Sequence, residues 1–426
     1  MTYKSVKGTR DLLPADTSAW LHVEHVIRTV MEEFRYGEIR TPVFEETAVF
    51  ARGIGEETDI VGKEMYTFED KGGSSLTLRP EMTAPVIRSF IQHSMGEQTQ
   101  LNKLYYIGPM FRQERPQAGR FRQFHQFGFE SIGQDNPACD AEIIAMAAEI
   151  FRRLGIHFTL KINSVGDPVC RPRYREALQE FLRDVHDELS PDSQRRTETN
   201  PMRVLDSKNT RDRELTADAP VIIDYLTDEC REHFERTLAY LDELGISYEV
   251  DPRLVRGLDY YTKTAFEFVS TDLGSQDALG GGGRYDGLVE QLGGKPTPAV
   301  GFAAGIERML IVMEKNGYDF PASEPAVYIV GMDDESRQWA FMKAMELRRA
   351  GIPTEIDYAA RSVKAQMREA NKLGARFVVL AGDSEMQDAA AQVKDMREGT
   401  QESVEFDRLA SYFSGLGIHN DNTETR

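Results

Sequence analysis

The chain has 426 residues, 51 Lys+Arg against 70 Asp+Glu, and a formal net charge of −19, which excludes bulk attraction to nucleic acid: any such partner must meet a local basic surface. Hydrophobic residues make up 40%, which excludes wholesale disorder, and the length predicts two or three domains, each able to bury a core. No apolar run approaches the ~18 residues of a membrane span.

The polar opening segment, 1–10, lacks the apolar stretch of a signal peptide, an expectation against secretion. Over 20–34, Trp20, Val23, Val26, Ile27, Val30, Met31 and Phe34 recur at helical spacing, with Tyr36-Gly37 as the stop. Ile39-Arg40-Thr41-Pro42-Val43-Phe44 reads as an extended run that Pro42 confines to a sheet edge or bulge. Two aromatic-rich runs, 104–114 and 121–131, flank Pro116 and Gly119 and predict a long antiparallel hairpin with a basic loop. A helix over 140–154 follows, with Asp140 as N-cap and Gly155 as stop, then a strand over 156–162.

Between 167 and 232 Arg, Asp, Glu and Ser dominate and glycine is absent. Helices are expected there, one over 174–189, as an insertion at about 168–232 in a sheet-based domain. Residues 254–308 return to glycine-rich strands, and a helix over 305–316 closes that domain, taken as 1–325 with a linker at 318–325. Beyond it, strands 326–330, 352–356 and 377–381 alternate with helices 335–350 and 362–373, a small α/β domain over 326–420. The polar residues 421–426 are expected to fray. Cys139, Cys170 and Cys230 lie far apart with no C-x-x-C pair, so buried thiols of a reducing compartment are expected, without zinc or disulfides.

Four clusters carry candidate chemistry. Alternation along a strand puts Phe124, Gln126, Gly128 and Glu130 on one face and Phe127 and Phe129 on the other, while Arg112 and Glu114 share a face. That surface suits a ligand with an anion, a planar ring and an amine; a solvated sheet face is the alternative. Arg256-Gly257-Leu258-Asp259-Tyr260-Tyr261 precedes a strand, as binding loops do, or is a turn whose tyrosines cap the core. Gly280-Gly281-Gly282-Gly283 costs chain entropy, which close backbone approach to a ligand would offset; a tether is the other reading. Finally, Pro298 to Arg308 runs through small residues into a helix whose first turn carries Arg308, a cation against the dipole that hints at an anionic or stacked partner.

In this order the clusters resemble the histidyl-tRNA synthetase family of class II aminoacyl-tRNA synthetases, over almost the whole chain. Arg40-Thr41-Pro42-Val43-Phe44-Glu45 resembles motif 1, Phe111 to Pro116 with Arg120 to Gln126 resembles motif 2, and Gly301 to Arg308 resembles motif 3. Arg256 to Tyr261 and Gly280 to Gly287 resemble the two signatures peculiar to the histidine enzymes. The resemblance implies an α+β fold: an antiparallel-sheet catalytic domain with a helical insertion, then a small α/β anticodon-binding domain. It implies ligation of L-histidine to tRNA(His) through an adenylate, with ATP as substrate and Mg2+ on its phosphates.

By position, Arg112, Arg256 and Gln126 would be catalytic. Glu81, Thr83, Gln126, Glu130, Tyr260, Tyr261 and Tyr285 would bind histidine, and Arg112, Glu114, Arg120, Phe124, Arg256 and Arg308 would bind ATP, with no protein metal ligand. Arg120 and Arg122 would meet triphosphate or the acceptor end. Arg361, Lys364, Arg368, Lys372 and Arg376 would face the anticodon, although a solvated helix face reads the same way. A cytoplasmic homodimer through the region around Pro42 is implied, without membrane contact. Met82 also occurs in the catalytically silent paralogue, the histidine-sensing regulatory subunit of ATP phosphoribosyltransferase; that paralogue typically lacks the arginine matched by Arg256 and the C-terminal domain.

Overall fold

In the computed structural model, which describes residues 3–54, 58, 60–117, 119–258, 260–274, 277–321 and 325–418, the first helix is Pro14–Glu33. It opens more than a turn before the apolar stripe because Pro14 is preset for the first helical position and the Asp16 carboxylate accepts from the Leu13 N–H. It stops at Arg35, whose φ of 64° brings the Tyr36 N–H to the Met31 carbonyl at 2.8 Å. Asp259 and the tail 421–426 lie outside the described residues.

The strands of the first compact unit, Met1–Phe320, are β1 (Gly37–Glu38), β2 (Phe44–Glu46), β3 (Tyr66–Glu69), β4 (Ser75–Leu78), β5 (Asn102–Phe111), β6 (Gln123–Ile132), β7 (Thr159–Ser164), β8 (Glu249–Val250), β9 (Thr262–Val269), β10 (Ala278–Arg284) and β11 (Ala299–Gly305). One sheet runs β1-β5-β6-β11-β10-β9-β7-β8, antiparallel except at the short edges β1–β5 and β7–β8. The extended run across Pro42 is not a strand of its own, since proline has no N–H for a ladder: β1 ends before it at Glu38, and β2, which starts at its last residue Phe44, joins β4 and β3 in a separate small sheet. The β5–β6 hairpin holds register from Asn102↔Ile132 to Phe111↔Gln123.

The glycine run lies inside β10, in the sheet, and is neither loop nor tether. On the core face, a Cβ at Gly280 would lie 2.8 Å from the Phe302 ring, and one at Gly282 would lie 2.7 Å from the Phe266 ring. Those two rings stack at 6.1 Å and join Phe127, Phe129 and Phe268 in the main core, closed by the helices Pro14–Glu33, Pro137–Arg153 and Ile306–Lys315. Dense aromatic packing offsets the entropy of the glycines.

Asp140 is not an N-cap. The helix starts at Pro137 with Asn136 capping it, its Oδ1 accepting from Ala138 N at 2.9 Å. Asp140, one turn in, is fully buried and binds the equally buried Arg284 guanidinium, whose Nε lies 3.1 Å from Oδ2. Arg284 also donates to the Gln134 carbonyl at 3.0 Å and to Asp286 at 3.1 Å, and His233 Nε2 is 3.3 Å from Asp140. The end of the glycine strand is thereby pinned to this helix.

The helices Arg171–Val185, Pro191–Thr199, Met202–Leu205 and Thr210–Leu215 gather around Tyr174, Leu178, Leu182 and Val204, a core of their own. The first of them ends at Val185, before the predicted 189, where His186–Glu188 tightens into a 3-10 turn. The helix Asp228–Glu243 runs through the expected limit at 232: Cys230 packs into the insertion, Phe234 and Leu241 into the main core. The second unit, Pro321–Arg426, holds β12 (Val327–Gly331), β13 (Thr354–Ile356), β14 (Phe377–Ala381), β15 (Ala390–Asp395) and β16 (Gln401–Glu405) in the order β13-β12-β14-β15-β16. The first three are parallel; β15 and β16 are an antiparallel extension that the sequence reading lacks. No helix among the described residues is long and apolar enough to cross a membrane.

Burial alone would raise the Asp140 carboxyl, but the Arg284 guanidinium, with His233 close by, outweighs it and holds it at about 2. The contribution to stability is therefore present above the ordinary carboxylate value of 3.8 and is lost as pH falls toward about 2. Asp140→Ala, which strands the Arg284 charge, is expected to cost about 3–5 kcal/mol in urea unfolding at neutral pH. A cost below ~1 kcal/mol would mean that the pair is not a structural clamp.

Candidate active site

The open face of the sheet has a floor of small residues. β6 contributes Phe124, Gln126, Gly128 and Glu130, and β11 sets Gly301 opposite Glu130, Ala303 opposite Gly128 and Gly305 opposite Gln126. A Cβ at Gly301 would fall 1.6 Å from the Glu130 Oε2, at Gly128 2.3 Å from the Tyr106 hydroxyl, and at Gly281 2.5 Å from Arg256 Nη1. Absent side chains thus make room for three polar groups to lie flat on the sheet.

At one end is a cavity of about 220 Å³, lined by Arg112, Glu114, Phe124, Arg256, Glu267 and Arg308 among others. Arg112 donates to the Pro80 carbonyl at 2.9 Å and its guanidinium lies 5.3 Å from the Phe124 ring centre. Glu114 pairs with Arg120 at 3.2 Å and stands 3.9 Å from Arg112. Arg308 reaches back from its helix to the Ala278 carbonyl at 2.6 Å and the Gly119 carbonyl at 3.3 Å. Arg256 comes from the far side, its Nη1 donating to Glu267 at 2.7 Å and its guanidinium 5.7 Å from the Tyr261 ring centre. Arg256 Nε and Gln126 Oε1 are buried without a hydrogen-bond partner among the described residues.

Next to it is a buried chamber of two carboxylates and four tyrosines. Glu130 is 1% exposed and accepts from Thr83 Oγ1 at 2.8 Å, Tyr285 at 2.5 Å and Tyr106 at 3.4 Å. Glu81 accepts from the Thr83 and Ala84 backbone N–H groups at 2.7 and 3.1 Å, at the start of the helix Thr83–Gln92. The Tyr260 ring meets Tyr261 at 4.8 Å and Tyr285 at 5.5 Å. Desolvation pushes Glu130 up to about 8, against the pull of the Tyr285 and Thr83 hydrogen bonds, and raises Glu81 as well. Neither carboxylate has an ion-pair partner among the described residues, so the chamber suits a ligand rich in N–H donors or positive charge.

Every residue assigned to histidine or ATP belongs to one of these two adjoining regions. Arg122 does not: it packs against Gly8 and donates to the Glu114 carbonyl. Tyr106 and Glu267 are not among the sequence candidates; Gly301, which the sequence offers only as the start of the motif 3 match, takes its place in the site from the strand register that sets it against Glu130. In the second unit Lys364, Arg368 and Lys372 are exposed along the helix Val363–Lys372 without ion-pair partners among the described residues. Arg361 is paired with Asp357 at 2.5 Å, and Arg376 lies 3.8 Å from Asp395 and over Phe377.

Comparison with known proteins agrees across both units. The family described as Histidyl-tRNA synthetase matches residues 8–309, and the Anticodon binding domain family matches 326–416. The histidine–tRNA ligase of Halothermothrix orenii is 50% identical over 406 residues, 95% of this chain and 97% of that protein. That of Caldanaerobacter subterraneus is 49% identical over 411 residues, 96% and 99% of the two chains. The apo histidyl-tRNA synthetase of S. aureus superposes with a TM-score of 0.83 at 42% identity, covering 97% of this chain and all of the other.

Because the folded protein keeps a proton on Glu130 that the unfolded chain has released, this carboxyl subtracts stability progressively between pH 4.5 and about 8. Glu130→Gln is expected to remove that slope, so its unfolding free energy relative to the parent should rise with pH across the window. Parallel curves would show that Glu130 ionises without penalty.

Proposed function

The chain belongs to the histidyl-tRNA synthetases, class II enzymes that couple ATP to the joining of histidine and tRNA(His), and on that basis we propose how its residues perform the reaction. Arg112 and Arg256 hold the α-phosphate of ATP from opposite sides. Phe124 and Arg308 sandwich the adenine, Glu114 accepts from its amino group, and Arg120 meets the outer phosphates. Glu81 and Gln126 bind the α-amino group and nearby polar atoms of histidine, Thr83 orients Glu130, and Glu130 and Tyr261 read the imidazole nitrogens between Tyr260 and Tyr285. The observation that carries this reading is that two arginines more than a hundred residues apart line one cavity, joined through Tyr261 to a buried pair of carboxylates.

A histidine carboxylate oxygen attacks the α-phosphorus in line; that O–P bond forms as the bond to pyrophosphate breaks. A ribose hydroxyl of the tRNA terminus then attacks the acyl carbon and AMP leaves. No protein nucleophile is needed, so positioning and charge stabilisation by preorganised guanidinium donors carry the rate. A chamber that hydrogen-bonds both ring nitrogens rejects analogues lacking them, because its own buried groups would be left unpaired. Mg2+ enters with the triphosphate, as part of the substrate. Glu114 and Glu267 are already paired with arginines, and no cluster of three His, Cys, Asp or Glu able to hold a metal occurs among the described residues.

The second unit binds the anticodon through Lys364, Arg368 and Lys372. A second copy of the chain covers the region around Pro42, where Val43, Phe44 and Phe68 are exposed and Arg79 holds the Thr41 and Pro42 carbonyls at 2.8 and 3.2 Å. We place the protein in the cytoplasm. A purely histidine-sensing role is disfavoured by the paired Arg112 and Arg256 and by the second unit.

Purified protein is expected to exchange pyrophosphate into ATP with histidine alone among the twenty amino acids. Arg256→Ala should lower the exchange kcat by about 100-fold or more while histidine Kd moves less than about threefold. Equal losses in both would make Arg256 structural. Replacing Lys364, Arg368 and Lys372 by alanine together should leave exchange intact, raise the KM for tRNA and flatten its salt dependence; unchanged charging would contradict the anticodon assignment.

A further inference from the structure

The segment from Arg256 to Tyr261 carries the α-phosphate arginine at one end and an imidazole-facing tyrosine at the other, yet none of its described residues belongs to a strand or helix. Its described ends are fastened from outside. Arg203, on the insertion helix Met202–Leu205, donates from Nη1 to the Arg256 carbonyl at 3.1 Å, and a Cβ at Gly257 would sit 3.4 Å from the same nitrogen. Arg171, at the start of the insertion helix Arg171–Val185, donates from Nη2 to the Tyr261 carbonyl and from Nε to the Val165 carbonyl at 2.9 Å. Arg253, just before the segment, donates to the Thr216 carbonyl of the insertion at 2.9 Å. A cavity of about 470 Å³ lies between, lined by Arg171, Arg203, Met202, Leu258, Arg256 and Tyr261 among others, and beside it Met202 and Leu258 pack against the cluster that holds Tyr260 and Tyr261.

We propose that Arg203 and Arg171 are positioning residues for adenylation: two guanidinium groups of the helical insertion that hold the carbonyls of Arg256 and Tyr261 and so set the reach of the first into the nucleotide cavity and of the second over the histidine chamber. The division of labour follows from which carbonyl each one holds. Arg203 acts through Arg256, hence on the phosphate and on kcat. Arg171 acts through Tyr261, hence on histidine binding. Placement errors of about 1 Å at a reacting centre cost up to 100-fold, so a lost tether is felt although neither residue touches substrate. The insertion, whose core is its own, is thereby coupled to the chemistry of the main domain.

This rests on the proposed role of Arg256, and pyrophosphate exchange with histidine tests the two separately. Arg203→Ala is expected to lower kcat about 10- to 30-fold with histidine KM within about threefold. Arg171→Ala should raise histidine KM about 10-fold with a smaller change in kcat. Arg203→Lys, which keeps one N–H to donate, should recover most of the loss. In an Arg256→Ala background, Arg203→Ala should cost nothing further, because its effect is routed through the missing side chain. Additive losses in that double variant, singles within about twofold of the parent, or equal falls in kcat for alanine and lysine alike would overturn the proposal. An Arg203→Ala protein that does not fold, with Arg203→Lys folded but about 10-fold or more below the parent, also counts against it. If Arg256→Ala alone leaves kcat intact, the role given to Arg256 fails instead.

Discussion

Everything on the working face depends on four residues of β10, Gly280 to Gly283, passing through the middle of the sheet with no side chains. The run Gly280 to Gly283 serves both faces at once, because alternate residues of a strand point opposite ways. Two of its glycines admit the Phe302 and Phe266 rings on the core side, and Gly281 admits the Arg256 guanidinium on the other. Gly301 and Gly128 extend the same bare surface across β11 and β6 under Glu130 and Tyr106. A single methyl group at Gly281 or Gly301 would lift the Arg256 guanidinium or the Glu130 carboxyl off the floor. The entropy of four glycines is offset by an aromatic core below and by the Asp140–Arg284 clamp at the strand's end.

The two regions above this floor carry opposite electrostatic problems, and each is left half solved by the protein itself. The chamber buries Glu81 and Glu130 among hydroxyl and backbone donors, without an ion pair among the described residues, and desolvation raises both carboxyls. The cavity gathers Arg112, Arg120, Arg256 and Arg308 with fewer carboxylates than it needs for neutrality. An amino acid with a cationic end and an N–H-bearing ring, beside a nucleotide with an anionic chain, completes both. Recognition and catalysis then draw on the same incomplete desolvation, which is why substrate binding and alignment are inseparable here.

Most of this arrangement was legible in the residues. Period-two alternation in the hairpin put Phe127 and Phe129 in the core and Phe124, Gln126 and Glu130 on the working face, where they are. Local signals failed where a long-range partner decided the outcome. Asp140 looks like a cap, but Arg284, 144 positions away, takes it into the interior. The glycine run could not be told from a tether, because what it packs against comes from β9 and β11. β15 and β16 carry too weak a pattern to read as strands, since Ala391, Val393 and Val404 are the few side chains they bury among apolar neighbours.

The pairing of Arg256 with Glu267 shows how a buried cation can be kept ready without being spent. A guanidinium taken from water with no partner loses several kcal/mol, whereas one fully matched to a carboxylate has nothing left to offer. Here Glu267 engages only Nη1, at 2.7 Å, from the strand neighbouring Gly281, while the Tyr261 ring covers a face and Nε stays unpaired. One edge of the planar fork is therefore anchored and oriented, and the remaining donors hold their direction before any anion arrives. Because the anchor stands on β9 and the arginine on an irregular segment, the geometry is only as rigid as the segment's own fastenings. The carbonyl of Arg256 and its side chain are held by different parts of the molecule, and both must be right for the free edge to point inward.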